Sequence, residues 1–359
     1  MLEVAFLTDA PRVAGSEIWL LEVLPLLPRL GIHPTVFLPK SPALRGLASR
    51  FEQAGIPVIQ YPSLAKVLSD LKNFHARVLQ AWFPSTYNLL RYLPEPRLVY
   101  IHDQLEYHYP FGLDRLYRAI YRYTKAHRIR LASRILVGTY WAADYLSRHF
   151  GLQAHTVPSG VNPERFRPPT PTERKDLRAR FGFHRFTVLT PARFTLEKNH
   201  LVILQTAKRL PDVDFALAGD GELARLIKAL AILWKLNNVR FLGNRWDIAE
   251  VYRASDAVLF PTLADNPGLV ILEGMSTGLP VITSPFPPQA EVISPLEGCL
   301  VPPTPYTLAE AIRWLIDHPS EAQAMGKRGR ERVVAQRTTL HTAQALAACL
   351  HETKSVQSP

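Results

Sequence analysis

The sequence predicts an α/β protein built from two doubly wound domains that face each other across a cleft. Three observations predict it. The chain has 359 residues, more than one hydrophobic core normally holds. Its first half alternates short β-rich runs with helical patterns, which implies a parallel sheet covered by helices on both faces. After a proline-rich break the same alternation restarts.

Taken in order, strands are expected at 2–8, 34–38, 57–60, 76–81, 97–101, 134–138 and 154–157. Helical patterns lie near 16–30, 42–54, 63–73, 85–92, 112–131 and 140–149. Pro25 and Pro28 fall inside the first of these and should kink or shorten it. Pro158, Pro163, Pro168, Pro169 and Pro171 mark the break and read as an interdomain linker. Beyond it come strands 186–191, 213–218, 238–241, 257–260 and 280–283. Between these strands lie helices 196–209, 222–235, 246–253 and 268–277. Each apolar strand leads into a loop of polar or glycine residues, so two facing domains would pool these loops in one cleft.

Composition narrows the class. With 47% hydrophobic and 20% charged residues the chain fits a soluble globular protein. No apolar run nears the roughly 18 residues that span a bilayer. The N-terminus enters a strand pattern at once, without a basic-then-apolar export signal. Cys299 and Cys349, the only cysteines, show neither metal-ligand spacing nor a disulfide framework, so a reducing cytoplasm is expected. The net charge is +11, and residues 1–168 hold 20 Lys plus Arg against 12 Asp plus Glu. Arg115, Arg118, Arg122, Lys125, Arg128, Arg130 and Arg134 follow one another without an acid among them, mostly on one helical pattern, with Tyr117, Tyr121 and Tyr123 interleaved. Such a segment can lie on anionic lipid headgroups or form a solvated face, and both readings stay open. No recognised module supports nucleic acid as a partner.

The most informative stretch is Asp265-Asn266-Pro267-Gly268-Leu269-Val270-Ile271-Leu272-Glu273. It sets two carboxylates eight positions apart, one in a loop after a strand and one inside the next helix. The Pro-Gly pair opens that helix, whose unpaired N–H groups and positive dipole end make a phosphate site. Carboxylates beside it accept hydrogen bonds from sugar and ribose hydroxyls, so the pocket reads as a nucleotide-sugar site. Arg193 and Lys198 share the loop after strand 186–191, where a guanidinium fork and an ammonium could neutralise a diphosphate. Two exposed cations on a loop would look the same. Gly219, in Ala218-Gly219-Asp220-Gly221, permits close backbone approach but lacks the spacing of a dinucleotide fingerprint. Leu242-Gly243 could receive a nucleobase or be a plain turn. In the first domain Gly15 could bring an N–H to a phosphate. His102 could meet a sugar hydroxyl as a neutral imidazole, although a histidine after a strand is often structural.

In combination these segments resemble the retaining nucleotide-sugar glycosyltransferases of family 4, over nearly the whole chain and most densely from Thr156 to Ser284. Thr156-Val157-Pro158-Ser159-Gly160-Val161-Asn162 is similar to the family's Pro-Asn-Gly-Val-Asp loop. Pro191-Ala192-Arg193 with Lys198 resembles its diphosphate-binding cations. Phe241-Leu242-Gly243, with Tyr252 through Asp256, resembles its base-binding loop and following helix. Asp265 to Glu273, continued to Ile282, resembles its paired-carboxylate block. There are departures: Asp265 stands for the usual glutamate, Ser159 and Asn162 for Asn and Asp, and Ala14 for the first glycine of a Gly-Gly loop.

The resemblance implies the GT-B fold, with two Rossmann-like domains. Residues 1–166 would bind the acceptor, joined by a C-terminal helix at about 337–354, and 167–336 would bind the donor. It implies transfer of a hexose from a UDP- or GDP-linked donor to a hydroxyl of a glycan or lipid-linked acceptor, with retention and without a metal or bound cofactor. Arg193, Lys198, Asp265 and His102 would be catalytic. Gly15, Gly219, Leu242, Gly243, Asn266, Gly268, Leu269, Val270 and Glu273 would bind the donor. An epimerase or phosphorylase on the same fold, or a non-catalytic nucleotide-sugar-binding partner, are the alternatives. The expected location is the cytoplasm, with the basic segment 115–134 as a contact to the membrane face.

Overall fold

The computed structural model describes residues 2–108, 113–266 and 268–355. Pro267, half of the helix-opening Pro-Gly pair, and residue 112 of the expected basic helix lie outside the described residues. The chain forms two compact units. The first is built from 2–106, 113–160 and 339–355, and the second from 107–108 and 161–338.

In the first unit β1 (Leu2–Thr8), β2 (Ile32–Pro39), β3 (Val58–Tyr61), β4 (Ala76–Gln80), β5 (Arg97–Ile101), β6 (Arg134–Val137) and β7 (His155–Thr156) form one sheet. Its order is β3-β2-β1-β4-β5-β6-β7, with every pairing parallel. β1 is buried at all but one position, which explains its near-continuous apolar run. The first helical pattern divides as its prolines require, into helix Gly15–Val23 and a 3₁₀ run over Leu24–Leu30. Helix Thr339–Ser355 returns to this unit, where His351 Nε2 lies 2.9 Å from the Leu30 carbonyl.

The second unit holds β8 (Thr187–Pro191), β9 (Asp214–Ala218), β10 (Val239–Gly243), β11 (Ala257–Phe260), β12 (Val281–Thr283) and β13 (Gly298–Leu300). Their order is β10-β9-β8-β11-β12-β13, again all parallel. Successive residues feed opposite faces: Leu189, Ala216 and Val258 enter one core, Val188, Phe215 and Leu259 the other.

Two expectations need correction. The proline-rich stretch does hold the division of the chain, but all of it beyond Gly160 belongs to the second unit. The units divide between Gly160 and Val161, Val161 N–H donates to the Arg337 carbonyl at 2.9 Å, and Phe166 is core. Pro171 then opens helix Pro171–Phe181, capped by Thr170 with Glu173 as its reciprocal partner. The basic helix is also interrupted: Leu113–Tyr121 is α-helical, Arg122–Ala126 forms a π-turn, and His127–Ile129 resumes the α-helix.

Candidate active site

An open parallel sheet binds ligands beyond the carboxyl ends of its strands, where the strand order reverses. In the second unit that reversal lies between β8 and β11. Arg193 and Lys198 follow β8, and Asp265 through Glu273 follow β11, so the topology brings the two predicted groups together. Lys198 is buried and donates to Asp265 Oδ2 at 2.6 Å and to the Ala264 carbonyl at 3.4 Å. Its ammonium also lies 5.1 Å from the Phe260 ring centre. Arg193 approaches Glu197 Oε1 at 3.8 Å. Glu197, which the sequence reading passed over, also accepts from the Thr195 hydroxyl at 2.6 Å, and its carbonyl receives Leu263 N–H at 2.7 Å. Each cation of the expected clamp thus has a carboxylate beside it.

Helix Leu269–Ser276 begins beside this pair. Gly268 caps it with φ +88, a left-handed conformation suited to glycine. A Cβ there would also lie 2.9 Å from Asp265 Oδ2 and from the Phe260 ring. Leu269 and Val270 supply the first helical N–H groups and are half-buried. Asn266 N–H donates to Asp265 Oδ1 at 2.9 Å, so this carboxylate is held at both oxygens. Glu273, one turn along, accepts from the Tyr252 hydroxyl at 2.6 Å. Burial, with the charge of Glu273, holds the Tyr252 phenol well above its ordinary pKa, so it acts as a donor.

Gly219 and Gly243 sit at the ends of β9 and β10, joined by a hydrogen bond from Gly219 N–H to the Gly243 carbonyl at 2.8 Å. A side chain on Gly219 would collide with the Ala192 carbonyl, so this glycine packs against the loop that carries Arg193. A Cβ on Gly243 would meet nothing within 4 Å, and its φ is +67. Leu242 packs partly into the core.

In the first unit the strand order reverses between β1 and β4. Gly15 opens helix Gly15–Val23, and a Cβ there would meet nothing within 4 Å. Glu17, another residue the sequence reading missed, is fully buried beneath this turn. It accepts from Ala14 N–H at 3.2 Å, Ser16 Oγ at 2.9 Å and Thr8 Oγ1 at 3.0 Å. The signal was a glutamate three residues after a helix start. Burial raises its pKa to about 7, against the lowering effect of the Ser16 and Thr8 hydrogen bonds. His102 follows β5, stacked on Tyr100 at 4.3 Å and edge-on to Trp19 at 5.2 Å. Burial and then the Lys125 charge push its pKa down to about 3, which favours the neutral imidazole.

Lys125 itself departs from the expected solvent-facing stripe. It is buried, donating to Asp103 Oδ1 at 2.7 Å and to the Ala81 carbonyl at 3.0 Å. Lys125 lies four residues after Tyr121 and four before Ile129, both buried, so it shares their inward face. Arg118 pairs with Asp114 at 2.6 Å and Arg128 donates to Asn88 at 3.0 Å. Leu116, Ile120 and Tyr123 remain exposed beside Arg115 and Arg122.

Among the described residues no group of carboxylates, histidines and cysteines could hold a metal ion. No described helix is long and apolar enough to cross a membrane.

Comparison with known proteins follows the same division of the chain. Residues 13–165 match the family profile described as Glycosyltransferase Family 4, and residues 173–332 match that described as Glycosyl transferases group 1. One relative is the GDP-mannose-dependent monoacylated alpha-(1-6)-phosphatidylinositol monomannoside mannosyltransferase of Corynebacterium glutamicum. It is 28% identical over 196 residues, 50% of this chain and 51% of that protein. Another is the alpha-D-kanosaminyltransferase of Streptomyces kanamyceticus, 28% identical over 264 residues, 69% of this chain and 67% of that one. The chain spans about half the length of the first curated relatives it matches. Among solved structures, Anabaena Alr3699/HepE in complex with UDP and glucose superposes with a TM-score of 0.85 at 19% identity, covering 98% of this chain and 100% of that one. Two parallel-sheet units, each under its own matching profile, make this chain a member of the group 1 glycosyltransferases with the GT-B fold.

Proposed function

We propose that the protein is a retaining, metal-independent hexosyltransferase that takes its sugar from a UDP- or GDP-linked donor. The second unit binds the donor and the first binds a glycan or lipid-linked acceptor. The observation that carries this reading is the convergence of Arg193, Lys198 and the helix start at Gly268 on one strand-order reversal. In the reaction the bond from the sugar's anomeric carbon to the phosphate oxygen breaks, and its electron pair leaves with the diphosphate. A bond from the acceptor oxygen to that carbon forms on the same face, and the acceptor's proton passes to the departing phosphate.

The work of the protein is to stabilise the charge that grows on the leaving group. An ammonium has three N–H groups, and Lys198 uses two on Asp265 and Ala264, which leaves one for a phosphate oxygen. Arg193 and the N–H groups of Leu269 and Val270 add to it. Asn266 borders the phosphates, Gly219 and Leu242-Gly243 border the nucleoside, and Glu273 takes the ribose hydroxyls. Asp265 and His102 orient the transferred sugar. Relatives include a GDP-mannose-dependent enzyme and a structure with UDP, which keeps both nucleotides as candidates.

The exposed Leu116, Ile120 and Tyr123 beside Arg115 and Arg122 favour a cytoplasmic enzyme that rests on an anionic membrane surface and meets a lipid-linked acceptor there. Arg193→Ala tests the clamp: turnover should fall by roughly 10²–10³-fold, the scale of one transition-state charge partner. A variant as fast as the parent would remove Arg193 from this role. Activity abolished by EDTA and restored by Mg²⁺ would contradict the metal-free reading.

A further inference from the structure

Gln80 ends β4 and His102 follows the adjacent parallel strand β5, and their side chains meet at 2.9 Å. Gln80 is only 4% exposed. Its two ends are distinguished by their surroundings. Nε2 lies 2.9 Å from the Ser16 carbonyl, which can only accept, so the amino end of the amide must face helix Gly15–Val23. The amide oxygen therefore faces the imidazole, 2.9 Å from His102 Nε2. An amide oxygen only accepts, so Nε2 carries the imidazole's proton. The ring is neutral, because burial and the Lys125 charge hold its pKa low, and a neutral imidazole has a single N–H. Nδ1 is left with a lone pair. Tyr100 and Trp19 fix the plane of the ring, and the bond to Gln80 is His102's only hydrogen bond among the described residues.

We propose that Gln80 is a positioning residue that locks His102 in its Nε2–H tautomer and so makes Nδ1 the acceptor for a hydroxyl of the sugar being transferred. The inference rests on the reading of His102 as a group that orients that sugar, and it gives the contact a direction. A hydroxyl finds a partner at Nδ1, whereas a fluorine, a keto oxygen or an ether oxygen at that position finds none. Because the other end of Gln80 holds the Ser16 carbonyl, the same side chain ties the Gly15 turn to the imidazole. The arrangement follows the general rule that the bond made by one ring nitrogen sets the chemistry of the other.

The test is long-range ¹H–¹⁵N spectroscopy of the full chain labelled in histidine, with the His102 signals assigned by their loss in His102→Ala. The parent should show one tautomer, Nε2–H. Gln80→Leu should give a mixture, and kcat for hydrolysis of UDP-glucose or GDP-mannose, whichever the protein turns over, should fall about tenfold, the scale of one lost hydrogen bond. Gln80→Glu keeps an acceptor opposite Nε2 and should restore the single tautomer. A parent in the Nδ1–H form overturns the lock, even if Gln80→Leu fails to fold. So does a Gln80→Leu spectrum identical to the parent's. If the lock is seen but His102→Ala hydrolyses either donor at the parent rate, the sugar contact falls and the reading of His102 falls with it.

Discussion

Lys198 Nζ lies 2.6 Å from Asp265 Oδ2, a cation after β8 held by a carboxylate after β11. Their side chains are 9% and 18% exposed, so water screens the pair only in part. Asp265→Asn should therefore destabilise the ligand-free protein by about 1.5–3 kcal/mol, the range for a hydrogen bond to a charged group. The same change removes the carboxylate that a diphosphate would approach in the proposed site. The expected outcome is a lower Tm without ligand and a larger upward shift on adding UDP or GDP. An unchanged Tm in both states would mean that the pair contributes nothing to either equilibrium.

Tyr252 should act through Glu273. Its hydroxyl holds the carboxylate at 2.6 Å, so Tyr252→Phe loosens the proposed ribose contact without touching the phosphates. Donor KM should rise roughly 5- to 10-fold, the scale of one hydrogen bond, with kcat little changed. A loss confined to kcat would place Glu273 in the chemical step instead.

Glu17 sets a pH dependence whose direction follows from its raised pKa. The folded protein holds this proton up to about pH 7, while the unfolded chain releases it near the ordinary value of 4.5. Its stabilising contribution is complete below pH 4.5 and is lost as the pH rises to about 7. The loss amounts to about 3 kcal/mol at most. His102 works in the opposite sense, since its depressed pKa costs stability as the pH falls from 6.5 towards 3. Glu17→Gln cannot ionise, so its Tm relative to the parent should be higher at pH 8 than at pH 5. An offset that does not vary with pH would show that Glu17 is charged in the folded protein.

The basic helix should bind membranes through a narrower set of residues than its charge count suggests. Arg118, Arg122 and Arg128 are engaged within the chain, Arg122 by donating to the His149 carbonyl at 2.7 Å, whereas Arg115, Leu116 and Ile120 face solvent. Replacing Leu116 and Ile120 by glutamate should abolish sedimentation with vesicles of phosphatidylglycerol and phosphatidylcholine. Sedimentation equal to the parent's would dispose of this surface.

Strand positions were readable in the sequence because buried parallel strands are apolar on both faces, as Val188 and Leu189 show. The switch-point residues were readable for a related reason, since loops after apolar strands held Arg193, Lys198 and Asp265 where nothing in a core would require them. Proline misled the reading. Pro171 reads as linker in the sequence, yet Pro171, Pro287, Pro305 and Pro319 each occupy the first position of a helix, where the missing N–H costs nothing. β13, with Gly298, Cys299 and Leu300, was too short to show a period. The partners Glu197, Glu17 and Gln80 stayed hidden because only the folded chain shows which groups they meet.

Helix Thr339–Ser355 belongs to the first unit although the second lies between them in the chain. During synthesis the second unit can therefore reach its native packing while the first still lacks its closing helix. The nascent first unit must wait through all of 161–338 before His351 can reach the Leu30 carbonyl.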